Sequence, residues 1–583
     1  MERRRPGDRD GRREPGGRRG ARRPRAAWSA VVLLAAACGK EASPPPADRA
    51  PDPPPARLRR FEIADPRSAD LAFTALGAVE LALFARGRGP LEVVIEEDGA
   101  PAAKSLLALS GEARSPAAVA LPGAGSRALR VRVSAPAGTT LEEARVRDEE
   151  PRLPGAKRLA GALRGRSLMI VVCDALHARR LGSWGHERDT SPNVDALARE
   201  GVRFAAANAQ SAWTLPSIAT LFTGLEQERH GVRDYGRALD AELPTLAEAF
   251  QAAGHSTAAF VQNPVVSAPS GLARGFDRFT EYGRDAAARV PRDVRDHLAA
   301  AGAQPCFVYV HLLPPHAPYA PPRELATRFG RPTHEVDGHF AGIDRLAKAQ
   351  PAADDPRVVQ LAALYDNHVA WGDQLAGELF RAAAEHGRDR TVVLFLSDHG
   401  EAFAQHGDIG HERNVHDEIA TIPLVLWAPG SPLTPGSVVR EPVWMPDLLP
   451  SLAELFALDA GGEAHGQSFA GLLEGRDAGG ARVLRLSAKY RVGTPDQRAI
   501  VFGRFKLVAP ARKRPTALFD LEADPGETND VSADHPVLAA ALLGELVRWA
   551  SEPLSESAAP GFVPDAKMRA ALRELGYVDD GGK

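Results

Sequence analysis

Apolar runs of strand length alternate with helical segments from Ser167 onward. Four of these runs predict buried strands: SLMIVVC before Asp174, TAAFVQN near residue 260, CFVYV before His311, and TVVLFLS before Asp398 and His399. Strands that alternate with helices are typical of an α/β fold with a mainly parallel sheet. Ligands of open α/β sheets bind beyond the carboxyl ends of the strands, and three of the four runs place Asp or His there. The pattern therefore predicts a functional site at that edge of the sheet.

The stretch from Phe61 to about Arg147 contains short alternating or β-branched runs instead. LEVVIEEDG, SLLALSG, AAVALPG and ALRVRVSAP are separated by Gly, Pro and Ser at strand-length intervals. We predict a small all-β sandwich domain over residues 58–150. A packing or spacer role is favoured over carbohydrate or surface binding, because no cluster of Trp or Tyr marks a sugar platform. With 583 residues, 44% of them hydrophobic, the chain can bury two cores.

The chain begins with an Arg-rich segment and a short apolar run that are typical of an export signal. Residues 1–26 contain eleven Arg and four acidic residues, whereas the whole chain has a formal net charge of -3. The remainder is therefore acidic, which argues against nucleic acid as a partner. Residues 27–37 are too few to span a bilayer but suit the hydrophobic part of a leader.

The small residues before Cys38 resemble a bacterial lipobox. We expect residues 1–38 to be a signal or lipoprotein-like leader with Cys38 as the lipidation site, and the Pro-rich residues 39–57 to be an extended tether. The protein would then be exported to the periplasm or anchored to a membrane of a bacterial envelope by the lipid; the alternative is an uncleaved anchor. Cys173 and Cys306 lie in apolar runs, so buried free thiols are expected rather than a disulfide.

Two predicted strand ends supply candidate metal ligands. A carboxylate that emerges from a buried strand, as Asp174 does, is costly unless a cation or hydrogen-bond donors satisfy it. Asp398 and His399 follow another buried run and offer a carboxylate beside an imidazole. This pair suits Zn or Mn, and carboxylates also suit Mg or Ca. One such Asp alone would equally be a turn cap, but the three residues together predict a divalent metal site.

A candidate nucleophile stands at the start of a short predicted helix. In SAWTLPSIATLFTG, Pro216 and Gly224 bracket the helix and Thr214 lies at or near its N-cap. The positive end of the helix would attract an anionic ester and stabilise charge on the Thr oxygen. A Thr hydroxyl needs a metal or a base to become nucleophilic, so this hypothesis requires the predicted metal site to converge on Thr214. A Thr that only caps a helix is the simpler alternative.

Loop histidines complete the candidate site. His311 and His316 belong to the Pro-rich segment HLLPPHAPY, and His406 and His411 belong to QHGDIGH. Such histidines can donate to phosphoryl or sulfuryl oxygens, protonate a leaving group or bind a second metal. A single loop His is more often merely solvated, whereas several after strand ends favour a site.

The sequence resembles the sulfatase family of the alkaline-phosphatase superfamily over about residues 165–580. The segments that carry the resemblance are VVCDALHARRLGSWGHERDTSPNVDALAREGVRF, SAWTLPSIATLFTGLEQERHGV, VHLLPPHAPYAPP, SDHGEAFAQHGDIGHERNVHDEIATIPLVLWAPG, ALFDLEADPGETND and LRELGYV. The resemblance implies an alkaline-phosphatase/sulfatase-like α/β sandwich with a mixed central sheet, in a catalytic domain over residues 165–455. It also implies a small C-terminal subdomain over residues 456–583, with antiparallel strands around RAIVFGRFKLVAP.

The same resemblance implies roles for individual residues. The metal ligands would be Asp174, Thr214, Asp398 and His399, and Thr214 would also be the nucleophile. The catalytic and substrate-binding histidines would be His316 and His411, with His311 as a further substrate-binding candidate.

The nucleophile segment departs from the pattern of true sulfatases. These carry Cys or Ser in C/S-x-P-x-R, and oxidation of that side chain gives formylglycine. Here the segment reads Thr214-Leu-Pro216-Ser217-Ile218, without the modified residue or the Arg. Oxidation of Thr would give a ketone rather than an aldehyde, so no formylglycine is expected. Thr is instead the nucleophile of phosphoethanolamine and phosphoglycerol transferases, whose membrane helices are not visible in this sequence.

The sequence therefore predicts a hydrolase or phosphotransferase that cleaves a phosphate or sulfate ester through Thr214. A divalent metal (Mn, Zn, Ca or Mg) would lower the pKa of the Thr214 hydroxyl for in-line attack, and water or an alcohol would clear the covalent intermediate. The expected partner is an anionic ester, such as a lipid head group, a glycan or a small ester. The alternatives are a sulfuric ester hydrolase (sulfatase) without formylglycine and a catalytically silent surface-binding lipoprotein. The complete metal set argues against the silent protein.

Overall fold

The computed structural model describes residues 159–475, 482–488, 497–509, 515–555 and 561–574, together with most of residues 56–149. The predicted leader, the lipidation site at Cys38 and residues 39–55 of the predicted tether lie outside the described residues. Within the described ranges, no helix combines the length and the apolar character needed to cross a membrane.

Eight strands precede the α/β region. They are β1 (Ala56–Phe61), β2 (Ser68–Ala75), β3 (Val79–Arg86), β4 (Arg88–Glu97), β5 (Ala100–Ser110), β6 (Ser115–Leu121), β7 (Arg127–Ser134) and β8 (Thr140–Glu149). They form two four-stranded antiparallel sheets, in the orders β1-β8-β3-β6 and β2-β7-β4-β5. Period-two alternation buries Leu91 and Val93 of β4 and Val131 and Val133 of β7. This all-β composition agrees with the pattern of short runs in the sequence, and the domain bounds of 58–150 stay a prediction.

The α/β region contains thirteen further strands among its described residues. They are β9 (Ser167–Cys173), β10 (Val202–Phe204), β11 (Ala207–Asn208), β12 (Ser256–Val261), β13 (Arg278–Glu281), β14 (Cys306–Leu312), β15 (Thr391–Leu396), β16 (Ala402–Phe403), β17 (Ile409–Gly410), β18 (Thr421–Ile422), β19 (Leu424–Trp427), β20 (Val438–Val439) and β21 (Val443–Trp444). The four strands predicted from apolar runs are β9, β12, β14 and β15, so these predictions are confirmed.

An eight-stranded mixed sheet of order β13-β12-β14-β9-β15-β19-β10-β20 forms the centre of this region. Strands β13, β12, β14, β9 and β15 are parallel, whereas β19 is antiparallel to both β15 and β10. Every residue of β9, β14 and β15 is buried, because both faces of the sheet are covered. The expected mixed central sheet is confirmed.

Helices flank this sheet and complete the C-terminal part. They are α1 (Pro192–Glu200), α2 (Thr214–Thr223), α3 (Gln227–His230), α4 (Leu246–Ala252), α5 (Val290–Ala301), α6 (Phe340–Lys348), α7 (Pro356–Gly387), α8 (Asp417–Ala420), α9 (Leu448–Phe456), α10 (Ala470–Leu473), α11 (Pro536–Ala550) and α12 (Ala566–Glu574).

Two hydrophobic cores lie on opposite faces of the central sheet, and β9 contributes to both. Leu168, Ile170 and Val172 belong to the core that includes residues of α2, α4 and α9. The alternate residues Met169 and Val171 belong to the core that includes residues of α1, α5 and α7. The resulting helix–sheet–helix layers form the predicted sandwich.

A further four-stranded antiparallel sheet forms the C-terminal part. Its strands, in spatial order, are β22 (Val483–Ser487), β23 (Arg498–Phe502), β24 (Phe505–Ala509) and β25 (Ala517–Asp520). The predicted strands around RAIVFGRFKLVAP are β23 and β24, and they are confirmed as an antiparallel pair. One face of this sheet packs with Ala212, Val415 and Ile419, which places it beside the segments that carry Thr214 and His411.

Candidate active site

The carboxyl ends of two neighbouring strands bring the predicted metal ligands together. Asp174 directly follows β9, and Asp398 lies two residues after β15; both side chains are fully buried. The Ser397 hydroxyl donates to the Cys173 carbonyl at 2.7 Å, and the Ala175 N–H donates to Asp398 Oδ1 at 3.1 Å. These bonds tie the two strand ends to each other and fix the carboxylates relative to the sheet.

Asp174, Asp398 and His399 have the separations of a metal site. His399 Nε2 lies 3.5 Å from Asp398 Oδ2 and 3.8 Å from Asp174 Oδ1. A tetrahedral ion with ligand bonds of about 2.1 Å holds its ligand atoms about 3.4 Å apart. Asp398 Oδ2 is buried without a hydrogen-bond partner among the described residues, which a cation would satisfy. The three residues therefore fit one divalent ion.

The tautomer of His399 also suits a metal ligand. Its Nδ1 lies 2.9 Å from the carbonyl oxygen of Gly400. Because a carbonyl only accepts, Nδ1 carries a proton, which leaves Nε2, the nitrogen beside Asp174 and Asp398, as the ring atom that can bind an ion.

Thr214 converges on the same atoms. Its Oγ1 lies 3.3 Å from His399 Nε2 and 3.5 Å from Asp174 Oδ1, and the side chain is fully buried. Thr214 is the first residue of α2 and the N-cap is Trp213, so the hydroxyl faces the predicted metal ligands instead of capping the helix. The helix ends at Gly224, whose φ of 65° is readily adopted only by glycine. The juxtaposition required by the nucleophile hypothesis is present.

Asn263 is a site residue that sequence reasoning missed. It lies two residues after β12, and its Nδ2 donates to Asp174 Oδ2 at 2.6 Å and to Thr214 Oγ1 at 3.4 Å. The available signal was its place as the last residue of the predicted run TAAFVQN, where a polar side chain follows apolar ones. An amide donor at this position holds one carboxylate oxygen and the candidate nucleophile together.

The histidines His316 and His411 lie beside the metal ligands. The ring of His411 lies 4.5 Å from that of His399 and 5.0 Å from that of His316. Burial opposes protonation of His411, but the nearby Glu401 carboxylate, 3.3 Å from Nδ1, raises its pKa to about 9. Burial lowers the pKa of His316. A cationic and a neutral imidazole therefore stand next to each other at the site.

His311 differs from its predicted position. It lies within β14 and is fully buried, whereas the sequence placed it in a loop after the strand. Its Nε2 lies 3.1 Å from Asp174 Oδ2. The structure therefore brings His311 to the site through a metal ligand.

His406 lies in a separate group of charged residues, the C-terminal charge cluster, which consists of His406, His416, Glu418, Lys506 and Glu527. His416 Nδ1 lies 2.5 Å from Glu527 Oε2, and Lys506 Nζ lies 2.6 Å from Glu527 Oε1. The rings of His406 and His416 are stacked 3.7 Å apart at 6°, so their in-plane lone pairs cannot converge on one ion. This cluster is therefore an ion-pair network rather than a second metal site.

His406 acts as an imidazolium in this cluster. Its Nδ1 lies 3.0 Å from both carboxylate oxygens of Glu418 and its Nε2 lies 3.1 Å from the Glu527 carbonyl. Both ring nitrogens therefore face acceptors and need protons. Burial opposes the charge, but Glu418 and Glu527 raise the pKa of His406 above its ordinary value.

We expect His406→Gln to destabilise the protein in a pH-dependent way. The stabilisation by the imidazolium is complete below the unfolded-state pKa of about 6.5 and is lost as pH rises through the higher folded-state pKa. At pH 6 the variant should lose about 1.5–3 kcal/mol, the usual contribution of charge-assisted hydrogen bonds. Thermal unfolding from pH 6 to 9, with exposed His334→Gln as the control, checks this. A gap from wild type that stays constant across this range contradicts it.

Comparison with known proteins identifies the family. A family model described as Sulfatase matches residues 166–458, which is half of the chain and includes every predicted site residue after Cys38. The ulvan-active sulfatase of Formosa agariphila is 24% identical over 404 residues, covering 63% of this chain and 76% of that protein. The choline-sulfatase of Rhizobium meliloti is 23% identical over 432 residues, covering 64% and 83%.

A solved structure supports the fold. The phosphonate monoester hydrolase of Agrobacterium radiobacter has a TM-score of 0.56 and 22% identity, covering 67% of this chain and 97% of that chain. The mixed central sheet described above is thus shared with a known ester hydrolase. The family match and the fold together show that this chain is an enzyme of the sulfatase family, within the alkaline-phosphatase superfamily.

Proposed function

We propose that this chain is a metal-dependent hydrolase or transferase in which Thr214 attacks a phosphate or sulfate ester, with phosphorus esters preferred. The observation that carries the proposal is the buried Thr214 hydroxyl, 3.3 Å from His399 Nε2 and 3.5 Å from Asp174 Oδ1. The preference for phosphorus esters follows from the chemistry of the Thr214 side chain. An unmodified Thr cannot form the aldehyde hydrate of formylglycine, whereas a phosphothreonine can be cleared by displacement at phosphorus.

Different residues would bind the metal ion and carry out the attack. Asp174, Asp398 and His399 would hold the divalent ion, which supplies positive charge that favours the alkoxide of Thr214 and neutralises ester oxygens. Thr214 Oγ1 loses its proton to solvent and forms the bond to phosphorus, while the bond to the leaving oxygen breaks on the opposite side. A second displacement, by water or an acceptor alcohol, breaks the bond to Thr214 and restores its hydroxyl.

The surrounding donors are placed to support these steps. The Nδ2 of Asn263 donates to Thr214 Oγ1 at 3.4 Å and so helps to hold the attacking oxygen in place. His411, paired with Glu401, is the candidate donor of a proton to the leaving oxygen. His316, whose ring lies 5.0 Å from that of His411, is the candidate donor to a nonbridging oxygen once its Nε2 takes up a proton, because its Nδ1 already donates to the Ala317 carbonyl at 2.7 Å.

The second candidate is a sulfuric ester hydrolase that works without formylglycine. The family match and the two sulfatases named above favour sulfate, whereas the phosphonate monoester hydrolase favours phosphorus. In either case the substrate is an anionic ester, such as a glycan, a lipid head group or a small ester. The orphaned Asp398 Oδ2 argues against a catalytically silent binding protein, because it keeps a need for a cation.

The deciding experiment is a substrate panel with purified full-length protein. After treatment with a chelator, turnover of an aryl phosphodiester, an aryl phosphomonoester and an aryl sulfate is measured with and without added Mn or Zn. Metal-dependent turnover of a phosphorus ester supports the proposal, and turnover of the sulfate alone supports the second candidate. No gain from either metal on any ester contradicts metal dependence.

We also propose export and lipidation at Cys38, which the Arg-rich head, residues 27–37 and the small residues before Cys38 support. In bacterial fractionation, wild type should remain with the membranes and Cys38→Ala should appear in the soluble fraction. A wild type that is itself soluble would contradict the lipid anchor.

A further inference from the structure

Two buried polar side chains of β14 are connected by hydrogen bonds to a predicted metal ligand. Tyr309 and His311 are two residues apart, so the strand places them on the same face of the sheet. Both are fully buried, as is Asp174. The Tyr309 hydroxyl lies 2.8 Å from His311 Nδ1, and His311 Nε2 lies 3.1 Å from Asp174 Oδ2. A continuous hydrogen-bonded chain therefore runs from the core to the metal site.

The surroundings of Tyr309 do not explain its hydroxyl. Its ring packs on Phe222 at 5.0 Å and near Phe276 at 6.4 Å, in one of the two hydrophobic cores. Phe would fill this space without burying a polar group, whose burial is costly unless it is hydrogen-bonded. The hydroxyl is satisfied by His311, so its contribution lies in what it does to that imidazole.

The direction of the hydrogen bonds follows from the acceptor at the end of the chain. A carboxylate only accepts, so His311 Nε2 carries the proton and donates to Asp174 Oδ2. With a single ring proton on Nε2, the Nδ1 of His311 is an acceptor, and the Tyr309 hydroxyl at 2.8 Å donates to it. Burial raises the pKa of Tyr309 well above its ordinary range, so this donor keeps its proton at all working pH values.

We propose that Tyr309 and His311 are positioning residues that set the metal affinity of the site by fixing Asp174. Asp174 Oδ2 accepts from both His311 and Asn263, at 3.1 and 2.6 Å, and is thereby saturated. Oδ1 is the oxygen that faces His399 Nε2 and Thr214 Oγ1. The hydrogen-bonded chain from Tyr309 through His311 to Asp174, called the relay below, thus presents one oxygen of Asp174 to the ion and prevents the carboxylate from rotating.

This inference rests on the proposed metal-dependent function and can fail separately from it. Metal affinity is measured directly, by calorimetric titration of chelator-treated full-length protein with Mn and with Zn. The variants are Tyr309→Phe, His311→Gln and the double variant. Gln keeps an N–H donor for Asp174 but lacks the imidazole that Tyr309 orients. Tyr282→Phe is the matched control, because this hydroxyl donates to Asp293 at 2.8 Å, outside the relay.

We expect Tyr309→Phe to raise the Kd for metal about tenfold, the lower end of the usual effect of losing a residue that supports a metal ligand. Tyr282→Phe should leave the Kd unchanged. In the His311→Gln background, Tyr309→Phe should have little further effect, because the group through which it acts is gone. A merely structural hydroxyl would produce the same change in both backgrounds.

The possible outcomes distinguish a failure of the relay from a failure of the proposed metal-dependent function. A wild type that binds metal, with a Tyr309→Phe variant of unchanged Kd, overturns the relay and leaves the proposed function intact. Equal effects of Tyr309→Phe in both backgrounds also overturn it. A wild type that binds neither Mn nor Zn, nor Ca or Mg in the same titration, overturns the metal-dependent function, and the relay with it.

Discussion

Asp398→Asn is expected to abolish detectable metal binding and to lower kcat/KM by roughly 10³-fold or more. Asp398 Oδ2 is the one oxygen of the three-residue set that is buried with no hydrogen-bond partner in the described chain. A neutral amide oxygen is a weaker ligand than a carboxylate, and its lack of charge leaves Asp174 alone against the ion's two positive charges. Asp and Asn side chains have nearly the same volume, so the loss of metal binding and activity reports on charge and ligation.

The same substitution should slightly stabilise the metal-free protein. Asp174 and Asp398 place two carboxylates within 4.8 Å of a common His399 nitrogen in a fully buried site. Removal of one charge relieves repulsion and desolvation, and we expect a gain of about 1 kcal/mol in the free energy of unfolding. Wild type should instead gain about 2.7 kcal/mol from metal at one hundred times its Kd, and the variant should gain nothing.

Thermal unfolding with and without Mn or Zn, alongside turnover, checks both parts. Asp373→Asn is the matched control: its buried carboxylate accepts from the backbone N–H groups of Asn193 and Val194, at 3.2 and 2.8 Å, and these bonds involve none of the three ligands. This control should lose stability yet keep the metal-induced shift in Tm. If Asp398→Asn keeps that shift, Asp398 is not a ligand and the assigned metal set is wrong.

Much of the site was predictable because its ligands follow buried parallel strands. The runs that became β9 and β15 are apolar throughout, so their ends could be read from the sequence and neighbouring ends lie at one edge of a sheet. Tyr309 was not predicted as a site residue, because it lies inside a strand and not at its end. It belongs to an apolar run, and only its register with His311 and the position of Asp174 on the adjacent strand show that its hydroxyl has a partner.

The segment QHGDIGH shows the limit of local reasoning. His406 and His411 are five residues apart and carry the same chemistry, yet only His411 lies beside the metal ligands. The chain reverses between β16 and β17, which sends His406 towards Glu527 of the C-terminal part. One of its two partners, Glu527, is 121 residues away along the chain, so no spacing rule could separate the two histidines.

The substitutions at Thr214 should separate a nucleophilic hydroxyl from a spectator. Thr214→Ala removes the attacking oxygen, and we expect kcat/KM to fall by roughly 10³-fold or more. Thr214→Ser keeps the oxygen but loses the methyl group that restricts its rotamer, so activity should stay within about tenfold of wild type. Thr223→Ala is the control, since this buried hydroxyl of the same helix donates to the Ala219 carbonyl and should affect turnover little.

Acid quenching during turnover, followed by peptide mass analysis, tests the covalent step itself. The peptide that contains Thr214 should carry a phosphoryl group with a phosphorus ester, or a sulfuryl group with a sulfate ester, and Thr214→Ala should carry neither. An alanine variant with wild-type turnover would instead assign the attack to water, with Thr214 only a neighbour. In that case Asp174, Asp398 and His399 keep their roles as metal ligands, and the contact of Thr214 with His399 at 3.3 Å serves to orient the His399 imidazole.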